Sequence, residues 1–142
     1  MAYNSQITFA ITGSAHDIEE GPLFMPKFDS NGLITAIAVN ETTNEILMVA
    51  HMNRDALIKS IETNEAWYWS RSRNTLWRKG DTSGQLQLIK EIRVDCDQDS
   101  IVLIVEVQGD GGCCHTGRKK CFYRRIDGID NENRLVLSSI KD

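Results

Sequence analysis

No stretch of this 142-residue sequence is long and apolar enough to cross a bilayer. The strongest β-branched run, Ile101 to Val107, falls far short of the roughly twenty residues that a spanning helix needs. Met1 to Gln6 has no basic segment leading into an apolar run, so no secretory signal is expected and a cytoplasmic location is the default expectation. Excess positive charge is absent too. Sixteen Lys and Arg against 20 Asp and Glu leave a formal net charge of −4, which argues against a nucleic-acid binder. There is no CxxC pair, so a zinc ribbon or a thioredoxin-like redox motif is poorly supported. Internal repeats, low-complexity tracts and interdomain linkers are also missing, and the length suits a single domain over 1–142.

What is present reads as a soluble core of 41% apolar and 25% charged residues. Residues 1–32 form a mixed, irregular lead-in broken by Gly21-Pro22 and Met25-Pro26. Gly32 to Val39 and Glu45 to Ala50 read as a β-hairpin across the polar turn Asn40 to Asn44. Asn53 is a good N-cap for a helix from Arg54 to about Thr63, with Ala56, Leu57, Ser60 and Ile61 at helical spacing. Ala66 to Ser70 reads as an aromatic strand, and Leu76 to Gly84 as turn-rich. Gln85 to Val94 reads as a half-exposed strand and Ile101 to Val107 as a buried one. Cys121 to Arg125 suggests a closing strand, and 127–142 a tail with a weak hairpin. The expected fold class is α+β and mainly antiparallel, with a barrel-like or rolled sheet and one central helix.

The chemistry concentrates in two segments, Asp95-Cys96-Asp97-Gln98-Asp99 and Cys114-His115-Thr116-Gly117-Arg118-Lys119-Lys120-Cys121. Thiolates suit zinc and carboxylates suit magnesium. Cys96, Cys114 and Cys121 can supply the three protein ligands of an open catalytic zinc site, with Cys113 left out; ordinary buried cysteines are the alternative. Asp95, Asp97 and Asp99 share a face if the backbone is extended, with Cys96 on the other. Either the segment bends or two metals lie on different faces. A solvated acidic turn is the alternative. An EF-hand is excluded by Ser100 at the sixth loop position, where glycine belongs. His115, set among ligand candidates, is the proton-transfer candidate. Ser70-Arg71-Ser72-Arg73 and Lys79-Gly80-Asp81-Thr82-Ser83-Gly84 each offer the hydroxyls, amides and cations that cradle phosphate, though neither is a P-loop. Arg118-Lys119-Lys120 can bind phosphate or favour neighbouring thiolates.

Taken in order, these motifs resemble the phosphoribosyl-AMP cyclohydrolase family of histidine biosynthesis, from about Leu33 to Arg125. The resemblance implies hydrolysis of the N1–C6 bond of the adenine ring of phosphoribosyl-AMP. It implies zinc on Cys96, Cys114 and Cys121, and magnesium on Asp95, Asp97 and Asp99. It also implies a homodimer with metal sites completed across the interface, and a small phosphorylated nucleotide as substrate. Within that frame His115 is the catalytic residue, and Arg71, Arg73, Lys79, Thr82, Ser83 and Arg118 are the substrate-binding candidates. Two positions depart from common family forms: Cys113 stands where a small residue is usual, and His51 where an aromatic is common. Two rivals remain. A closed four-thiolate zinc module would bind protein or RNA. A zinc nucleobase deaminase would require an H-x-E segment paired with P-C-x-x-C, and neither occurs.

Overall fold

The structure is a computed structural model describing residues 6–141. Met1 to Ser5 of the lead-in and Asp142 of the tail lie outside the described residues. The elements run α1 (Ala15–Glu20), β1 (Ile34–Asn40), β2 (Ile46–Met52), α2 (Arg54–Thr63), β3 (Trp67–Ser70), β4 (Thr75–Arg78), β5 (Gln87–Val94), β6 (Ser100–Val107), β7 (Arg124–Ile129) and β8 (Leu135–Ser139). The class is α+β and mostly antiparallel. Among the described residues no helix is long and apolar enough to cross a membrane.

The main sheet has the order β2-β1-β6-β5. β1 and β6 run parallel at its centre, and the flanking pairs are antiparallel. Two separate hairpins, β3–β4 and β7–β8, complete the strands. The sheets are not closed into a barrel, so the barrel-like or rolled expectation is not borne out. β5 ends the four-stranded ladder as an edge. It joins the segment leading into β3 through the Glu65–Leu88 bridge and backbone bonds such as Ala66 N–H to Gln87 O, and β3 itself through the Tyr68–Gln87 side-chain bond.

Ile34, Ala36 and Ala38 of β1 alternate inward, as do Ile101, Leu103 and Val105 of β6. They join Leu47, Met48 and Met52 of β2, Ala56 and Leu57 of α2, and Tyr68 of β3 in one apolar cluster. The other face of β6 is half-buried rather than sealed, so Ile101 to Val107 is a central strand buried fully on one side only.

α2 forms where its cap demands. The Asn53 side chain accepts from Ala56 N–H at 2.9 Å, and Asn64 ends the helix in the left-handed region at φ 57°. α2 is not the only helix, since α1 sits in the expected irregular lead-in. Ser14 and Asp17 form a reciprocal capping box there, although no α1 side chain is buried. Two further boundaries differ from expectation. Thr75–Arg78 is a strand within the segment read as turn-rich, because Trp77 pairs opposite Tyr68 and Leu76 opposite Trp69. The closing strand begins only at Arg124, because Cys121 is held by a single bond from its N–H to Leu47 O rather than by a ladder.

Candidate active site

The β5–β6 hairpin separates the two chemical segments. Its connecting turn carries Asp95 to Asp99, while the chain leaving β6 at the opposite end carries Cys113 to Cys121. Each arm is eight residues long. At about 3.3 Å per residue the two ends stand on the order of 20 Å apart.

At the turn the backbone bends, which settles the geometry that extended spacing left open. Gln98 N–H bonds Asp95 O at 3.1 Å, and Gln98 takes φ 60°. Gln98 is buried; its Oε1 accepts from Met25 N–H at 2.7 Å and its Nε2 donates to Ile18 O at 2.8 Å. This residue, passed over in the sequence, pins the lead-in to the turn. With Gln98 turned inward, Asp95, Asp97 and Asp99 project into solvent with ligand oxygens within 4.8 Å of one another. They form the only such group of three or more His, Cys, Asp or Glu among the described residues. Asp95 Oδ1 also accepts from the backbone of Asp99 at 3.0 Å and Ser100 at 3.1 Å. Burial pushes the Asp95 carboxyl up, but hydrogen bonds from Asp99, Ser100 and Asp97 outweigh it and leave it lowered. Asp99 is raised, because its hydrogen-bonded neighbours Asp95 and Asp97 compete for the same proton. Cys96 is exposed beside them and lines an apolar groove, away from the other thiols.

At the opposite end Cys113 and Cys114 are buried, and Cys121 is exposed. The Cys121 thiol is raised, chiefly by the neighbouring Cys113 sulfur and by burial. The Cys113 thiol is lowered, first by the neighbouring Cys121 thiol and then by the Lys79 cation, against the opposing effect of burial. Arg118 O receives the N–H groups of Cys113 at 3.0 Å and Cys114 at 2.9 Å, which folds the loop back on itself. Beneath it runs a buried polar chain that the sequence did not announce. Tyr68 Oη donates to Gln87 Oε1 at 2.7 Å, and Gln87 Nε2 faces Met48 Sδ at 3.3 Å and Cys113 Sγ at 3.7 Å. In the sequence Leu86 and Leu88 alternate against Gln85 and Gln87, which points Gln87 outward; the structure instead turns Gln87 inward with Ile89.

Above the thiols opens a cleft of about 470 Å³, walled by Cys114, His115, Lys79, Thr82, Ser83 and Arg73 among others. His115 is exposed, with Nδ1 4.0 Å from Cys114 Sγ. Lys79 donates from Nζ to Cys113 O and lies 5.8 Å from the Trp77 ring. The Lys79-to-Gln85 loop depends on Gly80 at φ +88°, where a Cβ would strike the backbone of Gln85 and Leu86. Arg71 lies in an adjoining hollow with His51 and Trp69, and Arg73 borders both spaces. Arg118 turns aside and stacks on the Tyr123 ring at 4.0 Å. One chain therefore gathers Cys114, Cys121, His115, Arg73, Lys79, Thr82 and Ser83 around one end of the sheet. It leaves Cys96 with the three aspartates at the other end.

An open α+β sheet with a polar, thiol-walled cleft at one end defines a small enzyme domain. The chain belongs to the phosphoribosyl-AMP cyclohydrolase family, whose model matches residues 48–123. A protein of Bradyrhizobium diazoefficiens named phosphoribosyl-AMP cyclohydrolase is 52% identical over 127 residues, covering 89% of each chain. Proteins of that name from Brucella canis and Brucella anthropi are 54% and 53% identical over 125 residues. The alignments cover 88% of this chain and 88% and 89% of theirs.

Proposed function

We propose that the protein opens the adenine ring of 1-(5-phosphoribosyl)-AMP at its N1–C6 bond, as a step of histidine biosynthesis. The observation that carries this reading is the cleft that sets His115 and Cys114 beside Lys79, Arg73 and two hydroxyls. Ribosylation at N1 leaves the purine ring cationic and C6 electrophilic. Water adds at C6, the N1–C6 bond breaks, N1 gains a proton and the water oxygen becomes the carboxamide oxygen. The exocyclic amine stays. His115 takes one proton from the attacking water and returns it to N1, and the second passes to solvent as the carboxamide C=O forms and the ring's positive charge is lost. Arg73, Lys79, Thr82 and Ser83 receive the phosphates from the cleft wall, with Arg71 next to it and Arg118 on the outer side.

The donor sets fit two metals. Cys114 and Cys121 meet at one end of the sheet and offer soft ligands for zinc, with Cys96 of a second copy as the third. Asp95, Asp97 and Asp99 are a hard oxygen set suited to magnesium. Zinc bound there would supply the Lewis acidity that makes water nucleophilic near neutral pH. The separation within one chain supports a homodimer, since Cys96 cannot reach Cys114 without a partner.

The test is complementation. Cys96→Ser and Cys121→Ser should each abolish ring opening, followed by ultraviolet absorbance, and each should lose zinc. An equimolar mixture, unfolded and refolded together, should regain roughly a quarter of wild-type activity. Half of its dimers are mixed, and a two-fold arrangement leaves one intact site in each of those. A mixture as inactive as its parents would defeat the shared site.

A further inference from the structure

The β7–β8 hairpin packs on itself and hardly on the rest of the chain. A two-stranded hairpin alone is marginal in water, so this one needs a surface to rest on. Its register sets Ile126 opposite Leu137 and Ile129 opposite Leu135. The bulge at Asp127-Gly128, with Gly128 at φ +94°, returns Ile129 to the face of Ile126. All four side chains lie on one face, and each is 52 to 67% exposed. Arg125 and Ser138 pair on the other face. A contiguous apolar face of this kind marks a contact surface. It also lies beyond the family-matched residues, which end at 123.

A receptor of the right character exists elsewhere on the molecule. Ile18, Leu23, Phe24, Ile92, Val94 and Cys96 line an open groove of about 550 Å³. Leu23 is 59% and Val94 46% exposed. Glu19 and Asp95 border the groove, while Arg124 and Arg125 begin the arm. The arm starts three residues after Cys121, a reach of at most about 10 Å. The groove is lined by Cys96 itself.

We propose that the β7–β8 arm of one copy seats its Ile126, Ile129, Leu135 and Leu137 face in the Cys96 groove of a second copy. The inference rests on the shared thiol site proposed above: if Cys121 of one chain meets Cys96 of another, the arm is delivered to that groove. Two arms and two grooves then close a two-fold dimer. Apolar docking and completion of the thiol site become one event.

Sedimentation velocity of the zinc-loaded full chain over a range of concentrations tests this. I126E/L137E on the arm and L23D/V94D in the groove should each weaken self-association at least about tenfold, because each buries unpaired charge. Far-UV circular dichroism should remain native for the arm variant, whose residues lie outside the core; the milder I126S/L137S pair serves if it does not. Combining arm and groove variants should add little, since both remove the same contact. Wild-type dissociation in the arm variant, or dissociation in the arm variant but not in the groove variant, would overturn the proposal. Mixing Cys96→Ser with Cys121→Ser reads the shared thiol site separately. Recovered zinc binding alongside an unperturbed arm variant sinks the arm alone. No recovery, with both the arm and groove variants dissociating, sinks the thiol reading and leaves the arm contact supported.

Discussion

At the β5–β6 turn, Asp95, Asp97 and Asp99 stand in solvent, whereas at the far end of the same hairpin Cys113 is 1% exposed and Gln87 fully buried. The two ends hold their polar side chains by different means. Water screens the carboxylates, so crowding them costs little until a cation is needed, and one buried glutamine suffices to shape the turn. The buried Cys113 and Cys114 have no such screen. They sit on a buried floor, and the Lys79 cation nearby favours the Cys113 thiolate. Changes to the buried floor of the thiol end should therefore disturb both chemistry and folding, and changes to the exposed carboxylates should leave the fold alone.

The largest effect expected is on chemistry at the thiol end. His115→Ala should lower kcat by about 10² to 10⁴, the usual contribution of a positioned acid–base group. His115 is exposed and holds no core contact, so zinc content and melting temperature should stay near wild type. Steady-state kinetics with zinc analysis checks this. Unchanged turnover removes His115 from the reaction, and lost zinc makes it a ligand.

Next comes the floor. Gln87→Leu leaves the buried Tyr68 hydroxyl without its 2.7 Å acceptor, at a cost of about 1–3 kcal/mol. It also removes the amide that faces Cys113 Sγ, which adds to the loss of stability. Adding Tyr68→Phe should restore part of the stability, because removing both partners of a buried bond costs less than removing one. Urea unfolding of the two single variants and the double variant measures the coupling. A double variant as unstable as the sum of the singles would mean that the chain from Tyr68 to Cys113 does not act as a unit.

The same contrast marks what the sequence makes legible. α2 was readable because the Asn53 cap and an apolar stripe agree, and the β1–β2 hairpin because a polar turn divides two apolar runs. α1 was missed although Ser14-Ala15-His16-Asp17 spells a capping box, since no apolar period accompanies it. Spacing and motif order single out the candidate residues. Their distribution could not. Nothing local in Cys96 or Cys121 says that a whole strand length lies between them, since that follows from β6 pairing with both β1 and β5. Gln87 and Gln98 escaped notice for a related reason: a polar side chain counts as exposed until tertiary packing supplies its partners.

The smallest effect should come from the carboxylate end, in metal-free protein. Asp99 has a raised pKa, first through its bond to Asp95 and then through Asp97. A group raised on folding lends stability below its unfolded pKa and loses it as pH climbs through the folded value. Asp95 is lowered and works the other way, lending stability above the carboxylate range and losing it as pH falls. Asp99→Asn keeps a donor toward Asp95 while deleting the charge. Without metal, the variant should lose less melting temperature than wild type as pH rises from about 4 to 7, the span above the ordinary carboxylate pKa. With magnesium the order should invert, since wild type gains a ligand that the variant lacks. Differential scanning calorimetry with and without magnesium reads both. If added magnesium leaves the wild-type melting temperature where it was, the three aspartates are a solvated turn held by Gln98 and nothing more.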